Sequence, residues 1–113
     1  MKKDDMIYIG HILEATEKIY KYCSSMKKTE FLRNDLVKDA VVRNIEIVGE
    51  AAKKLSSEFR KRYPEIPWKD ISGMRDKIVH DYTGIDYRVV WDVVQIDLPD
   101  LKIRLKNITK QQK

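Results

Sequence analysis

A stripe of apolar side chains runs through the middle of this chain at alternating steps of four and three: Val41, Ile45, Val48, Ala52, Leu55 and Phe59. That step is the helical repeat, and no segment keeps the one-in-two alternation of a half-buried strand. Ala40, Ile47 and Ala51 widen the stripe, so the spacing predicts a central helix with neighbours on two sides. It is expected to run from about Asp35 to Arg62 and to end at Tyr63-Pro64, because the residue before proline avoids helical geometry. Gly49 lies inside it at a cost of roughly 1 kcal/mol against alanine. A glycine there suits the close approach of another helix.

The flanking segments carry the same period. Met6, Ile9, Ile12, Ile19 and Cys23 predict a helix from about Asp4 to Ser24, with Asp4 and Asp5 supplying its cap and favourable N-terminal charge. Lys27 to Asp35 reads as a connector with one turn near Phe31-Leu32. Pro64 to Trp68 reads as a loop. A third helix is expected from Asp70 or Ser72 to Tyr82, stopped by Thr83-Gly84. A fourth starts at Asp86, follows Val90, Val94, Leu98, Leu101, Leu105 and Ile108, and kinks or breaks near Pro99. The expected fold is all-α, an antiparallel bundle of four to five helices.

At 113 residues the chain is expected to form one domain over 1–113, with a modest core that closes without metals or disulfides. Its single cysteine, Cys23, excludes an internal disulfide and a cysteine-based metal site, and points to a reducing compartment. No apolar run approaches the ~20 residues of a membrane span. The first residues lack the apolar core of a signal peptide, so the expected location is the cytoplasm, with no membrane partner. Net charge is +5, a mild tilt towards anionic partners, and the basic residues form no single block.

Chemistry concentrates in Gly73-Met74-Arg75-Asp76-Lys77-Ile78-Val79-His80-Asp81-Tyr82-Thr83-Gly84. Arg75 is a permanent cation whose forked donors suit a phosphate. His80 can take or give a proton near neutral pH. Tyr82 adds a phenol. On a continuous helix Arg75 and Tyr82 would share a face, Asp76 and His80 would be neighbours, and Arg75 and His80 would diverge by about 140°. Two copies of the chain facing each other would then make a better pocket than one. Spacing alone also fits plainer roles: Asp76–His80 as a helix-surface pair and Tyr82 as a packing tyrosine. Glu46 and Glu50 lack the histidine that a helical di-metal site needs, so they and Arg43 read as a salt-bridging set. No metal and no cofactor are expected. His11 receives no role. Trp68 and Trp91 read as core or interface anchors, and Cys23 as a small core residue.

The run from Pro67 to Asp86, with its Arg, four residues, His, one residue, Tyr, closely resembles the HepT-like branch of the HEPN superfamily. The likeness extends to Arg43-Asn44-Ile45-Glu46-Ile47-Val48-Gly49-Glu50, to Tyr87-Arg88-Val89-Val90-Trp91 and to Leu98-Pro99-Asp100-Leu101, and so covers about residues 4 to 108. Asp76 supplies the polar residue usual after the motif arginine. The resemblance implies a HEPN-type helical bundle paired as a homodimer, with the two motifs facing across a cleft. It implies a metal-independent endoribonuclease acting on RNA, the toxin of a toxin–antitoxin pair. Arg75 and His80 would be catalytic and Asp76 supporting. The antitoxin would be a minimal nucleotidyltransferase of the MntA type that transfers AMP onto Tyr82. An alternative is a non-catalytic helical module that serves a nucleotidyltransferase and holds nucleotide phosphate with Arg75 and His80.

Overall fold

The computed structural model describes residues 2–80 and 84–111, and of His80 the backbone only. Helix α1 (Lys3–Cys23) is followed by a short α2 (Lys28–Arg33) and by the central α3 (Asp35–Lys54). Three short helices come next: α4 (Ser57–Arg62), α5 (Trp68–Ser72) and α6 (Met74–Ile78). A two-stranded antiparallel ribbon, β1 (Val79–His80) with β2 (Gly84–Ile85), leads into α7 (Tyr87–Asp92), a π-helical turn (Val93–Asp97) and α8 (Leu98–Gln111). The architecture is all-α, as the periodicity predicts.

Helix α3 lies between α1 on one side and α5 and α6 on the other. Val41, Ile45 and Val48 meet Ile9, Ile12 and Ile19 of α1 in the core, and Leu101, Leu105 and Ile108 bring α8 to the same core. Phe31 of α2 is fully buried and packs on Trp91, ring centroids 5.2 Å apart, which closes one end. Cys23 is buried, and burial pushes its thiol up from the ordinary range.

The long helix expected from Asp35 to Arg62 is two helices. Leu55 is extended, and Ser56 caps a new helix by accepting from the Phe59 N–H at 3.1 Å. The stripe runs through the break because Leu55 and Phe59 stay buried on either side of it. Asp5, expected to cap α1, does something else. Lys2 is the N-cap and makes no side-chain cap. The buried Asp5 carboxylate instead accepts from the Ser56 N–H at 2.8 Å and from the Ser56 hydroxyl at 2.7 Å, pinning the start of α1 to the start of α4.

The predicted kink at Pro99 takes the form of the π turn just before it. The Leu98 N–H donates to the Val93 carbonyl, five residues back. Pro99 has no N–H to give, and a wider turn ahead of it relieves its ring of the clash with the preceding turn.

Candidate active site

The segment from Trp68 to Ile85 carries the motif, and two glycines shape it. Gly49 of α3 faces the end of α5, where a Cβ would lie 3.4 Å from the Ser72 carbonyl oxygen, an ordinary contact distance, so the backbones of α5 and α3 lie close together there. Trp68 locks the start of α5: its indole N–H donates to the Tyr63 carbonyl at 3.0 Å and its ring lies 5.6 Å from that of Phe59. The chain then turns at Gly73 and begins α6.

Helix α6 is five residues long and strongly two-sided. Met74 and Ile78 are buried against the core, while Arg75, Asp76 and Lys77 face outward. The side chains of Arg75 and Asp76 form no hydrogen bond or ion pair with the described residues. Lys77 donates to Asp97 of the π turn at 3.1 Å, which ties the outer face of α6 to the α7–α8 arm. No spacing pattern points to that pair, since 20 residues separate its members. A groove of about 580 Å³ opens beside α6, between Met74 and Lys77 on one wall and Leu101 and Arg104 on the other.

The helix expected to continue to Tyr82 ends at Ile78. Val79 is extended (φ −98°, ψ 128°) and pairs with Ile85, while His80 pairs with Gly84. Gly84 has φ +84°, a left-handed conformation that glycine adopts without steric cost and that turns the chain back on itself. The Asp86 N–H then takes the Ile78 carbonyl at 2.8 Å, and the Asp86 carboxylate caps α7 through the Arg88 and Val89 N–H groups. A β-branched pair, Val79 and Ile85, therefore outcompetes one more helical turn. Three readings that assumed a continuous helix lose that basis: the Asp76–His80 helix pair, the divergence of Arg75 and His80 by about 140°, and the face shared by Arg75 with Tyr82. His80 instead lies on a strand two residues beyond the helix. Tyr82 and the side chain of His80 lie outside the described residues.

The other polar candidates sit elsewhere. Arg43 makes no ion pair with the described residues, and Glu50 pairs at 3.8 Å with Lys53 rather than with Arg43 or Glu46. Arg43 and Glu50 line a shallow cleft with His11, whose ring meets that of Tyr8 edge-on at 6.1 Å. Among the described residues no group of three or more His, Cys, Asp or Glu is placed to hold a metal ion, and no helix is long and apolar enough to cross a membrane.

The family described as Ribonuclease HepT-like matches residues 12–108. The chain belongs to the HepT-like ribonuclease family. Its relatives include the Methanocaldococcus jannaschii protein named "Putative RNase MJ1216", 39% identical over 96% of this chain and 90% of that protein. Another is the "Probable ribonuclease HepT" of Thermococcus cleftensis, 38% identical over 97% of this chain and 100% of that one. Among solved structures, a tri-AMPylated Shewanella oneidensis HEPN toxin in complex with an MNT antitoxin superposes with a TM-score of 0.72, covering 97% of this chain and 99% of that one. At 19% identity this likeness speaks to the fold, which is the HEPN bundle. The HepT-like match spans the whole motif segment, including the ribbon that breaks the predicted helix.

Proposed function

We propose that this chain is the toxin of a toxin–antitoxin pair, a metal-independent endoribonuclease that works in the cytoplasm as a homodimer of single 1–113 domains. What supports the reading above all is the Arg75, four residues, His80, one residue, Tyr82 spacing inside a chain of the HepT-like ribonuclease family, with the Arg75 side chain outward-facing and without a partner among the described residues, on a helix anchored by Met74 and Ile78. RNA carries its own nucleophile. His80 takes the proton of the 2′-hydroxyl, whose oxygen attacks the adjacent phosphorus. Arg75 holds the phosphate oxygens as charge builds on the phosphorane. The bond to the 5′-oxygen breaks, and that oxygen leaves with a proton. The products are a 2′,3′-cyclic phosphate and a 5′-hydroxyl end. In a two-fold pair with facing motifs each centre takes Arg75 from one copy and His80 from its partner, and the proton that His80 has taken goes to the leaving 5′-oxygen. Asp76, next to Arg75 and equally exposed, supports the arginine's orientation.

Control follows from Tyr82. A cognate minimal nucleotidyltransferase transfers AMP from ATP to its hydroxyl, placing phosphate charge and bulk two residues from His80. That excludes RNA by repulsion and occlusion. The Shewanella HEPN toxin, which is tri-AMPylated and in complex with an MNT antitoxin, supports this reading.

The test is cleavage of a single-stranded RNA by the purified protein in excess chelator, with His80→Ala alongside. Cleavage that yields cyclic-phosphate ends and vanishes in the variant is expected. A strict need for added divalent ion, or a variant that cuts at the parent rate, would overturn the mechanism.

A further inference from the structure

Away from α6, the α1–α8 seam holds an apolar groove of about 410 Å³. Its floor is Ile19, Val94 and Leu98, all buried. Its lips are large apolar side chains left in solvent: Tyr20 is 59% exposed and Ile103 62%. The volume is in the range of sites that take several apolar side chains or a small ligand. The rim is basic. Lys102 and Lys106 stand along α8, and the Lys102 ammonium lies 5.0 Å from the centre of the Tyr20 ring while also bridging to Glu17 of α1. Glu17 feels Lys102, Lys106 and Lys21 together, which hold its carboxyl below the ordinary range. Three cations thus surround one carboxylate that is already engaged, and the rim keeps a surplus of positive charge.

We propose that this groove is a docking site for an acidic amphipathic helix of a partner protein, whose apolar face fills the groove between Tyr20 and Ile103 and whose flanking carboxylate meets Lys106 on the rim. An apolar floor suits inserted leucine- or isoleucine-like side chains. It suits nucleic acid poorly: a phosphate chain would find no polar floor, and Tyr20 has no second aromatic beside it to continue a stack of bases. The site is separate from the helix that carries the motif arginine, because neither Arg75 nor any other residue of α6 lines it.

The test uses the full chain and two fluorescent helical peptides with the same leucine face, one flanked by glutamates and one by lysines, followed by anisotropy. The glutamate peptide is expected to bind saturably, at least about tenfold tighter than the lysine peptide, and more weakly as salt rises. Ile103→Asp should abolish binding, and Lys106→Glu should erase the preference for glutamate. Both positions are exposed, and the melting temperature checks that each variant folds. If Ile103→Asp does not fold, Lys106→Glu carries the test alone. Equal binding of the two peptides, or indifference to both substitutions, overturns the proposal. So does binding of a single-stranded RNA that Lys106→Glu removes while neither peptide binds, which would make the face a nucleic-acid surface. A fall in oligomeric state caused by Ile103→Asp would assign the groove to a second copy of this chain and would equally overturn it.

Discussion

Arg75 faces outward without a partner among the described residues, and this sets what its loss should do. Arg75→Ala removes no buried contact, so the melting temperature should stay within about a degree or two of the parent, as for surface substitutions generally. RNA cleavage should fall about 10²–10³-fold, the loss seen when one charge-stabilising donor is removed from a transition state. A cleavage rate within a few-fold of the parent would take Arg75 out of the site. Tyr82→Phe should separate chemistry from control: on the proposed function, RNA cutting and cellular toxicity should persist, while AMP transfer by the nucleotidyltransferase should stop. Intact mass after incubation with transferase and ATP reads this directly, and a further gain of AMP mass on the Phe variant would mean that another residue is the acceptor. At this scale the sequence was informative about identity and misleading about placement. The residue types and their spacing pick out the motif. Their directions depend on where α6 stops, and that is decided by the pairing of Val79 with Ile85 and the left-handed turn at Gly84, interactions that a helical wheel does not contain.

The elements were legible wherever an apolar face recurs over several turns, as in α1, α3 and α8, since burial of such a face outweighs local preference. They were not legible where one polar group redirects the chain. Ser56 sits in a run whose apolar period never falters, yet it ends one helix and starts another because Asp5, 51 residues away, supplies the acceptor for both its N–H and its hydroxyl. Ser56→Ala should therefore cost about 1–2 kcal/mol, the usual value of a lost cap. With Asp5→Ala it should show a coupling of about 0.5–3 kcal/mol in a double-mutant cycle of urea midpoints, as residues in direct contact do. Additive effects would mean that the two groups do not share their energy. The α1–α8 seam gives a pH signature. Lys102, first through its hydrogen bond and then through its charge, holds Glu17 below its ordinary value of 4.5. A carboxyl depressed in the folded state adds stability above its unfolded value, and that stability disappears as pH falls through the folded value. Glu17→Gln should thus melt below the parent at pH 7, and the gap should close as the pH is lowered past 4.5 towards 3. A gap that stays constant across that range would mean that the bridge contributes nothing.

At the scale of the whole molecule, the proposed dimer would turn an outward-facing arginine on a short helix into a site. A single chain of 13.4 kDa carries Arg75 on the outward face of α6 and His80 on the strand beyond it. An isologous pair places residue i of one copy against residue j of the other, and j against i. If the motifs face each other across such an axis, each catalytic centre draws Arg75 from one copy and His80 from its partner. Light scattering should then give about twice the mass of one chain. A sharper consequence concerns two dead proteins. Arg75→Ala and His80→Ala homodimers each lack one half of both centres. Denatured together and refolded, they form mixed dimers in which one centre has both residues intact and the other has neither. With equal amounts about half the dimers are mixed, so RNA cleavage should recover to roughly a quarter of the parent rate. Refolding either variant alone should recover nothing. A mixture as inactive as its components, in dimers verified as mixed by mass, would mean that Arg75 and His80 act within one chain, and the site would then have to close around the ribbon of a single copy.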